Sequence, residues 1–101
     1  MSGSLCVLFF QFNENRNSRT YFTFNSKDKA IEGVIKYYEG LLRRQHGFSS
    51  KQAIKYHVND VINFINSLED VALLEKQESL AFVGRDRAWL IRQLHSFFSS
   101  L

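Results

Sequence analysis

The side chains of this chain that could perform chemistry are not spaced for it. His46, His57 and His95 show no HxxxH, HxH or cysteine–histidine spacing of the kind that holds a metal ion. Glu69 and Asp70 are adjacent near the end of a predicted helix, where neighbouring side chains point apart, so they make a poor acid–base pair. The sequence therefore predicts no catalytic residue, no metal site and no cofactor.

The single cysteine, Cys6, lies inside an apolar run and is more typical of a small core side chain than of a nucleophile. It cannot form an internal disulfide, and this cysteine usage is consistent with a reducing compartment. The motifs GxSxG, GxGxxG and GxxxxGK[ST] are missing from the sequence. We therefore expect a protein that is not an enzyme.

The charge of the chain is weakly basic, with a formal net charge of +3 at pH 7. The basic residues do not form one stripe: Arg43 and Arg44 end one predicted helix, while Arg85, Arg87 and Arg92 surround the start of another. Basic residues near a helix end are expected from the helix dipole alone. Direct binding of nucleic acid is therefore an alternative that is not favoured. The apolar run near the N-terminus is too short to span a bilayer, which predicts no membrane partner.

The first predicted strand, residues 5–12, is apolar on both faces. Side chains of a strand alternate between faces, so a half-buried strand alternates apolar and polar residues. Here both alternating sets are apolar, Leu5, Val7 and Phe9 on one face and Cys6, Leu8, Phe10 and Phe12 on the other. One face can pack on the chain's own helices, and the other needs a partner.

A polar loop, Asn13 to Ser18, joins this strand to a second strand, Arg19 to Phe24, which predicts an antiparallel hairpin. The hairpin interior contains no Lys or Arg, so its apolar face is better suited to another apolar sheet than to phosphates. We expect Val7, Phe9, Tyr21 and Thr23 to form a dimer interface, with Leu8 and Phe10 packed under the first and third helices. Because both faces are apolar, residue types alone leave this choice open.

The remaining elements follow from caps and periodicity. Ser26 is a suitable N-cap of the first helix, and Gly47 lies just beyond its end. A connector of residues 48–57, with a short extended piece at Ile54 to Tyr56, precedes a second helix at Val58 to Asp70. Two short strands are predicted at Val71 to Glu75 and Leu80 to Val83, around a turn at Lys76 to Ser79. Asp86 is expected to cap the third helix, whose apolar stripe is Leu90, Ile91, Leu94, Phe97, Phe98 and Leu101.

The order β-β-α-α-β-β-α predicts an α+β domain with a four-stranded antiparallel sheet and helices on one face. The whole chain, 1–101, is expected to be one domain, with residues 1–4 flexible.

Small residues on the first helix form a strip beside its apolar stripe. Ala30, Gly33, Tyr37 and Gly40 recur at spacings of three and four. A glycine inside a helix costs about 1 kcal/mol relative to alanine, so these positions need a reason. Either a neighbouring element approaches closely, or Gly33, Tyr37 and Gly40 line a groove for a partner peptide.

Several segments resemble the enhancer of rudimentary family. They are Arg19-Thr20-Tyr21, Glu32-Gly33-Val34 with Lys36, Tyr38, Glu39 and Leu42, then Ile54 and Tyr56, Phe64-Ile65 with Leu68 and Asp70, and Trp89. The likeness covers about residues 5–98. The family's Tyr-x-Pro-Tyr before the tryptophan is replaced by Phe82-Val83-Gly84-Arg85, so the chain is similar to a divergent member.

The resemblance implies a homodimer formed through the open sheet faces. It also implies a non-enzymatic adaptor in the nucleus, the cytoplasm or both, which binds short linear segments of RNA-processing proteins. Relatives of this kind act in splicing, transcript elimination and small-RNA pathways such as piRNA biogenesis. The alternatives are a basic domain that binds RNA directly and a non-catalytic subunit of an enzyme.

Overall fold

The protein has an α+β fold, as predicted, in which three helices accompany one four-stranded antiparallel sheet. A computed structural model describes residues 5–47, 55–78 and 81–101. The strands are β1 (Cys6–Gln11), β2 (Arg19–Phe24), β3 (Asp70–Lys76) and β4 (Phe82–Arg85). The helices are α1 (Lys27–His46), α2 (Val58–Ser67) and α3 (Arg87–Ser99), and a single 3₁₀ turn, Arg16–Ser18, precedes β2.

The sheet has the strand order β2-β1-β3-β4, so β1 is central although it comes first in the chain. Cys6, Leu8 and Phe10 of β1 are fully buried, and they belong to the same core as the buried residues of the helices. That core also contains Ile31, Val34, Val61, Ile65, Leu90 and Leu94. The predicted orientation of Leu8 and Phe10, towards the chain's own core, is confirmed.

Both predicted caps of α1 are present. The Ser26 hydroxyl accepts a hydrogen bond from the backbone N–H of Lys29 at 3.1 Å. Gly47 has a φ of 67°, in the left-handed region that glycine adopts without strain, and its N–H donates to the carbonyl of Arg43. These two local signals fix a helix of 20 residues along the sheet.

Helix α2 ends at Ser67, so the prediction that it extends to Asp70 is wrong. Leu68 has an extended backbone and is buried, and its N–H closes the last turn onto the carbonyl of Ile65. Asp70 already lies in β3, opposite Gln11 of β1. Pairing with the central strand thus overrides local helix propensity.

Strand β4 lies two residues later than predicted, at Phe82–Arg85 rather than Leu80 to Val83. The reason is the length of β3, which continues through Lys76, where Phe82 is its partner. The reversal therefore lies beyond Lys76, and Gln77 donates its N–H to the carbonyl of Ala81 at 2.7 Å. Ser79 and Leu80 lie outside the described residues, so the predicted turn is only partly described.

Helix α3 begins as predicted, because the Asp86 carboxylate accepts the backbone N–H of Trp89 at 2.9 Å. The prediction that its apolar stripe includes Leu101 is wrong, because Leu101 follows the helix and its side chain is 84% exposed. The predicted flexible residues 1–4 and the extended residue Ile54 lie outside the described residues. No helix in the described ranges has both the length and the apolarity needed to cross a membrane.

Candidate functional site

The four residues predicted to form a dimer interface lie together on the face of the sheet opposite the core. Val7 is paired with Thr23, and Phe9 with Tyr21, across the β1–β2 ladder. The Phe9 and Tyr21 rings are 5.2 Å apart between centroids, and the Tyr21 side chain is 61% exposed. No described element covers this surface, which consists of an aromatic pair beside two β-branched residues.

Two further residues extend this surface and were missed by the sequence-based interpretation. Leu74 of β3 lies opposite Val7, and Phe82 of β4 projects to the same side. Their side chains are 40% and 48% exposed, respectively. The sequence signal for Leu74 is its position: Val71 and Leu73 belong to one alternating set of β3, and Leu74 is an apolar residue in the other set. We call Val7, Phe9, Tyr21, Thr23, Leu74 and Phe82 the open face.

The polar residues at one end of the open face are already paired. The Arg19 Nε donates to the Gln11 Oε1 at 2.9 Å, and the Gln11 Nε2 donates to the carbonyl of Asn13 at 2.9 Å. The Arg19 guanidinium also lies 5.8 Å from the centroid of the Phe9 ring. Because buried polar groups are costly only when they lack partners, this end of the sheet is compatible with being covered.

The predicted peptide strip on α1 contains two different environments. A Cβ added to Gly33 would overlap the ring of Phe24, so a neighbouring side chain occupies the space above this glycine. At Gly40 the only neighbour of such a Cβ among the described residues is an Arg44 Nη1 atom at 3.9 Å, an ordinary contact. Close approach thus accounts for Gly33, whereas the surface at Gly40 is open.

Tyr37 lies in an aromatic cluster that joins α1 to the sheet and to α2. Its ring centroid is 5.4 Å from that of Phe10, 5.5 Å from that of Phe22 and 6.0 Å from that of Phe64. The Tyr37 residue as a whole is only partly buried. All three residues of the predicted strip are thus partly exposed, but the Phe24 ring occupies the space beside Gly33.

Cys6 and His57, which carry potentially reactive side chains, have roles in packing and in helix capping. The pKa of the Cys6 thiol is raised, mainly by burial and secondarily by the nearby Glu75 carboxylate, and this disfavours the nucleophilic thiolate. His57 caps α2, because its Nδ1 accepts the N–H of Asn59. Within residues 5–47, 55–78 and 81–101, no three His, Cys, Asp or Glu side chains are grouped so that they could hold a metal ion.

A hydrogen bond fastens the segment before α2 to α1. The Tyr56 hydroxyl donates to the Glu39 Oε2 at 2.5 Å. Burial raises the pKa of Tyr56 above its ordinary value, and the hydrogen bond to Glu39 and its negative charge raise it further. A hydroxyl that remains protonated in this way is a structural donor and not a nucleophile.

The sequence matches the family model described as "Enhancer of rudimentary" over residues 2–101. The chain belongs to the enhancer of rudimentary family. An enhancer of rudimentary homolog of Arabidopsis thaliana is 29% identical over 85 residues, which cover 83% of this chain and 76% of the relative. The homolog of Dictyostelium discoideum is 26% identical over 85 residues, covering 83% of both chains. The protein enhancer of rudimentary of Drosophila virilis is 27% identical over 90 residues, covering 88% of this chain and 85% of the relative.

Membership confirms the resemblance carried by the Arg19-Thr20-Tyr21 and Glu32-Gly33-Val34 segments. Enhancer of rudimentary proteins are not a known enzyme family. The surfaces of this member described above are the open face and the partly exposed part of α1 at Tyr37 and Gly40.

Proposed function

We propose that this enhancer of rudimentary protein is a non-enzymatic, homodimeric adaptor in RNA metabolism. In this role two copies pack their open faces together, and the dimer holds short linear segments of RNA-processing proteins. Such assemblies include those of splicing, transcript elimination and small-RNA biogenesis, in the nucleus, the cytoplasm or both. The exposed apolar sheet face is the observation that carries the proposal.

Three features of the open face support a second copy as its cover. Apolar side chains from all four strands contribute to it, whereas monomeric proteins rarely expose a large contiguous apolar patch. An interface between identical sheets is self-complementary, because each copy presents the same patch to the other across a two-fold axis. Interfaces of obligate homodimers also resemble a divided core, which fits the aromatic pair Phe9 and Tyr21.

Light scattering coupled to size-exclusion chromatography tests the dimer. We expect the native protein to have twice the mass of one chain, and Tyr21→Arg and Phe9→Arg to shift it to the mass of one chain. Burial of one large apolar side chain contributes roughly 1.5–3 kcal/mol, and each substitution acts twice in a symmetric dimer. Tyr21→Arg is the cleaner variant, because Tyr21 is exposed and lies outside the core.

Leu101→Arg is the matched control, since it introduces the same side chain at an exposed apolar position that follows the end of α3. This variant should keep the mass and the circular dichroism spectrum of the native protein. A native protein that has the mass of one chain across micromolar concentrations would contradict the homodimer, and so would equal effects of Tyr21→Arg and Leu101→Arg.

A dimer would present two equivalent peptide sites, which raises the avidity for a partner that carries two segments. We place each site at Tyr37 and Gly40, because Tyr37 is partly exposed and a side chain at Gly40 would meet no close contact among the described residues. Titration of labelled protein with segments of RNA-processing proteins should shift the amide resonances of this part of α1. Shifts confined to the sheet would contradict this placement.

A further inference from the structure

A small pocket lies where β4 meets α3. Its volume is about 240 Å³, and it is lined by Gly84, Arg85, Asp86, Trp89 and Arg92. Pockets for drug-sized ligands usually measure about 300–1,000 Å³, so this one has room for a single side chain rather than for a nucleotide. Trp89 and Arg92 are three residues apart on α3, and Arg85, the last residue of β4, lines the same pocket.

The Arg85 guanidinium in this pocket has unused hydrogen-bonding capacity. Its Nη2 is 3.5 Å from the Glu75 Oε1, at the outer limit of a hydrogen bond, and its buried Nε has no partner among the described residues. The guanidinium lies 5.4 Å from the centroid of the Trp89 ring, which holds it in place, and its side chain is 37% exposed. An arginine fixed in this way has lost part of its flexibility before any ligand arrives.

The other two charged residues of the pocket, Asp86 and Arg92, differ in whether their side chains already form hydrogen bonds. Asp86 is engaged as the cap of α3, where it accepts the N–H of Trp89. Arg92 is exposed, and it makes no hydrogen bond or ion pair with the residues that the structure describes. The pocket therefore offers two guanidinium groups to an anion, beside one carboxylate, Asp86, that caps α3.

We propose that the pocket formed by Arg85, Trp89 and Arg92 binds a carboxylate side chain of a partner segment. This inference rests on the proposed adaptor function, because it assigns part of the chemistry of the segment that the adaptor holds. Guanidinium groups form charge-assisted, two-pronged hydrogen bonds with carboxylates. A nucleobase would stack on an aromatic face, and the Arg85 guanidinium already lies over the Trp89 ring, 5.4 Å from its centroid.

Trp89 is the only tryptophan in the chain, so its fluorescence reports on the pocket directly. The probe is an acetylated, amidated tetraglutamate peptide, titrated at low ionic strength beside the equivalent tetraglutamine peptide and an eight-nucleotide oligouridylate. We expect a saturable change in Trp89 emission with tetraglutamate only. Arg85→Gln and Arg92→Gln should each weaken this binding at least tenfold. Arg16→Gln, which removes the same charge from the exposed turn before β2, should leave it unchanged.

Glu75→Gln distinguishes an Arg85 that contacts the ligand from an Arg85 that only stabilises the fold. Glu75 is the carboxylate nearest to the guanidinium, so removal of its charge should free Arg85 and tighten tetraglutamate binding several-fold. A loss of affinity in Glu75→Gln would overturn the assignment. The assignment would also be overturned by no saturable change, by an equal response to tetraglutamine or to oligouridylate, or by an equal loss in Arg16→Gln.

The mass of each sample, measured by light scattering, separates this inference from the function on which it rests. If Arg85→Gln and Arg92→Gln remain dimeric and still bind segments of RNA-processing proteins at native affinity, the carboxylate pocket is wrong and the adaptor stands. If the native protein has the mass of one chain, the homodimeric adaptor fails, whatever the peptide titration gives.

Discussion

At the scale of single residues, Gly33 and Gly40 of α1 show how identical residues meet different demands. They are seven positions apart, about two helical turns, and so lie on the same side of the helix. The Phe24 ring lies where a side chain at position 33 would be, whereas at position 40 the described part of the chain places only the tip of Arg44 nearby. Gly33 is thus required for packing between the sheet and α1, and Gly40 is not.

We predict opposite effects of alanine at these two positions. Gly40→Ala should stabilise the protein by up to about 1 kcal/mol, because alanine is the better helix former and the new methyl group meets an ordinary contact. Gly33→Ala raises the helix propensity by the same amount, but the new methyl group must displace the Phe24 ring. Overpacking of this kind costs roughly 1–3 kcal/mol. Urea denaturation at one fixed protein concentration measures both.

The pair serves as its own control, since the chemical change and the helix are the same. Phe24→Leu should remove most of the penalty of Gly33→Ala, because a smaller side chain leaves room for the methyl group. Equal shifts of the denaturation midpoint in Gly33→Ala and Gly40→Ala would show that the Phe24 ring moves aside without cost.

At the scale of elements, the sequence predicts those ends that are determined locally. Ser26, Gly47 and Asp86 are caps whose signal lies within a few residues, and all three act as expected. The end of α2 has no such local signal. Its last carbonyl groups accept hydrogen bonds from a side chain of α3, which is distant in the sequence. The start of β4 is also set from outside, by the register with β3, and either Leu80 or Phe82 could have been its first apolar residue.

Arg87 provides the bonds that end α2. One Nη atom donates to the carbonyls of Ile65 and Asn66, both at 3.1 Å, and the other donates to the carbonyl of Glu69 at 3.3 Å. We predict that Arg87→Gln lowers the free energy of unfolding by about 1–3 kcal/mol, because carbonyls near the core lose a charged donor. Arg87→Lys should restore only part of this, since an ammonium group lacks the planar fork.

Thermal and urea denaturation at fixed protein concentration measure the effect of Arg87. Arg16→Gln is the control for charge, and it should change the stability by less than about 0.5 kcal/mol because its side chain is exposed. If Arg87→Gln and Arg16→Gln are equally stable, the three hydrogen bonds contribute nothing beyond what water supplies.

At the scale of the whole molecule, the central strand connects the core to the open face. Cys6, Leu8 and Phe10 of β1 fill the core, while Val7 and Phe9 of the same strand project outwards. The sequence predicts that one face of β1 requires a partner, but residue types could not distinguish the two faces, since each is apolar. The placement of the helices determines which face of β1 is buried in the core, and that placement depends on contacts between distant parts of the chain.

Cys6 makes the link between folding and dimerisation measurable. It is fully buried in the central strand, and burial raises the pKa of its thiol, so a maleimide reagent should reach it only when the molecule opens. If two copies cover each other's open faces, opening requires their separation. The labelling rate should then fall about threefold for each tenfold rise in protein concentration, as mass action requires for a dimer that dissociates on unfolding.

Tyr21→Arg supplies the contrast for this measurement, because it should disrupt the dimer without entering the core. We expect Cys6 in this variant to be labelled faster than in the native protein, at a rate that no longer depends on concentration. Leu101→Arg should retain the native dependence. A native rate that does not change with concentration would mean that Cys6 becomes accessible without separation of two copies, and the proposed link between folding and dimerisation would be wrong.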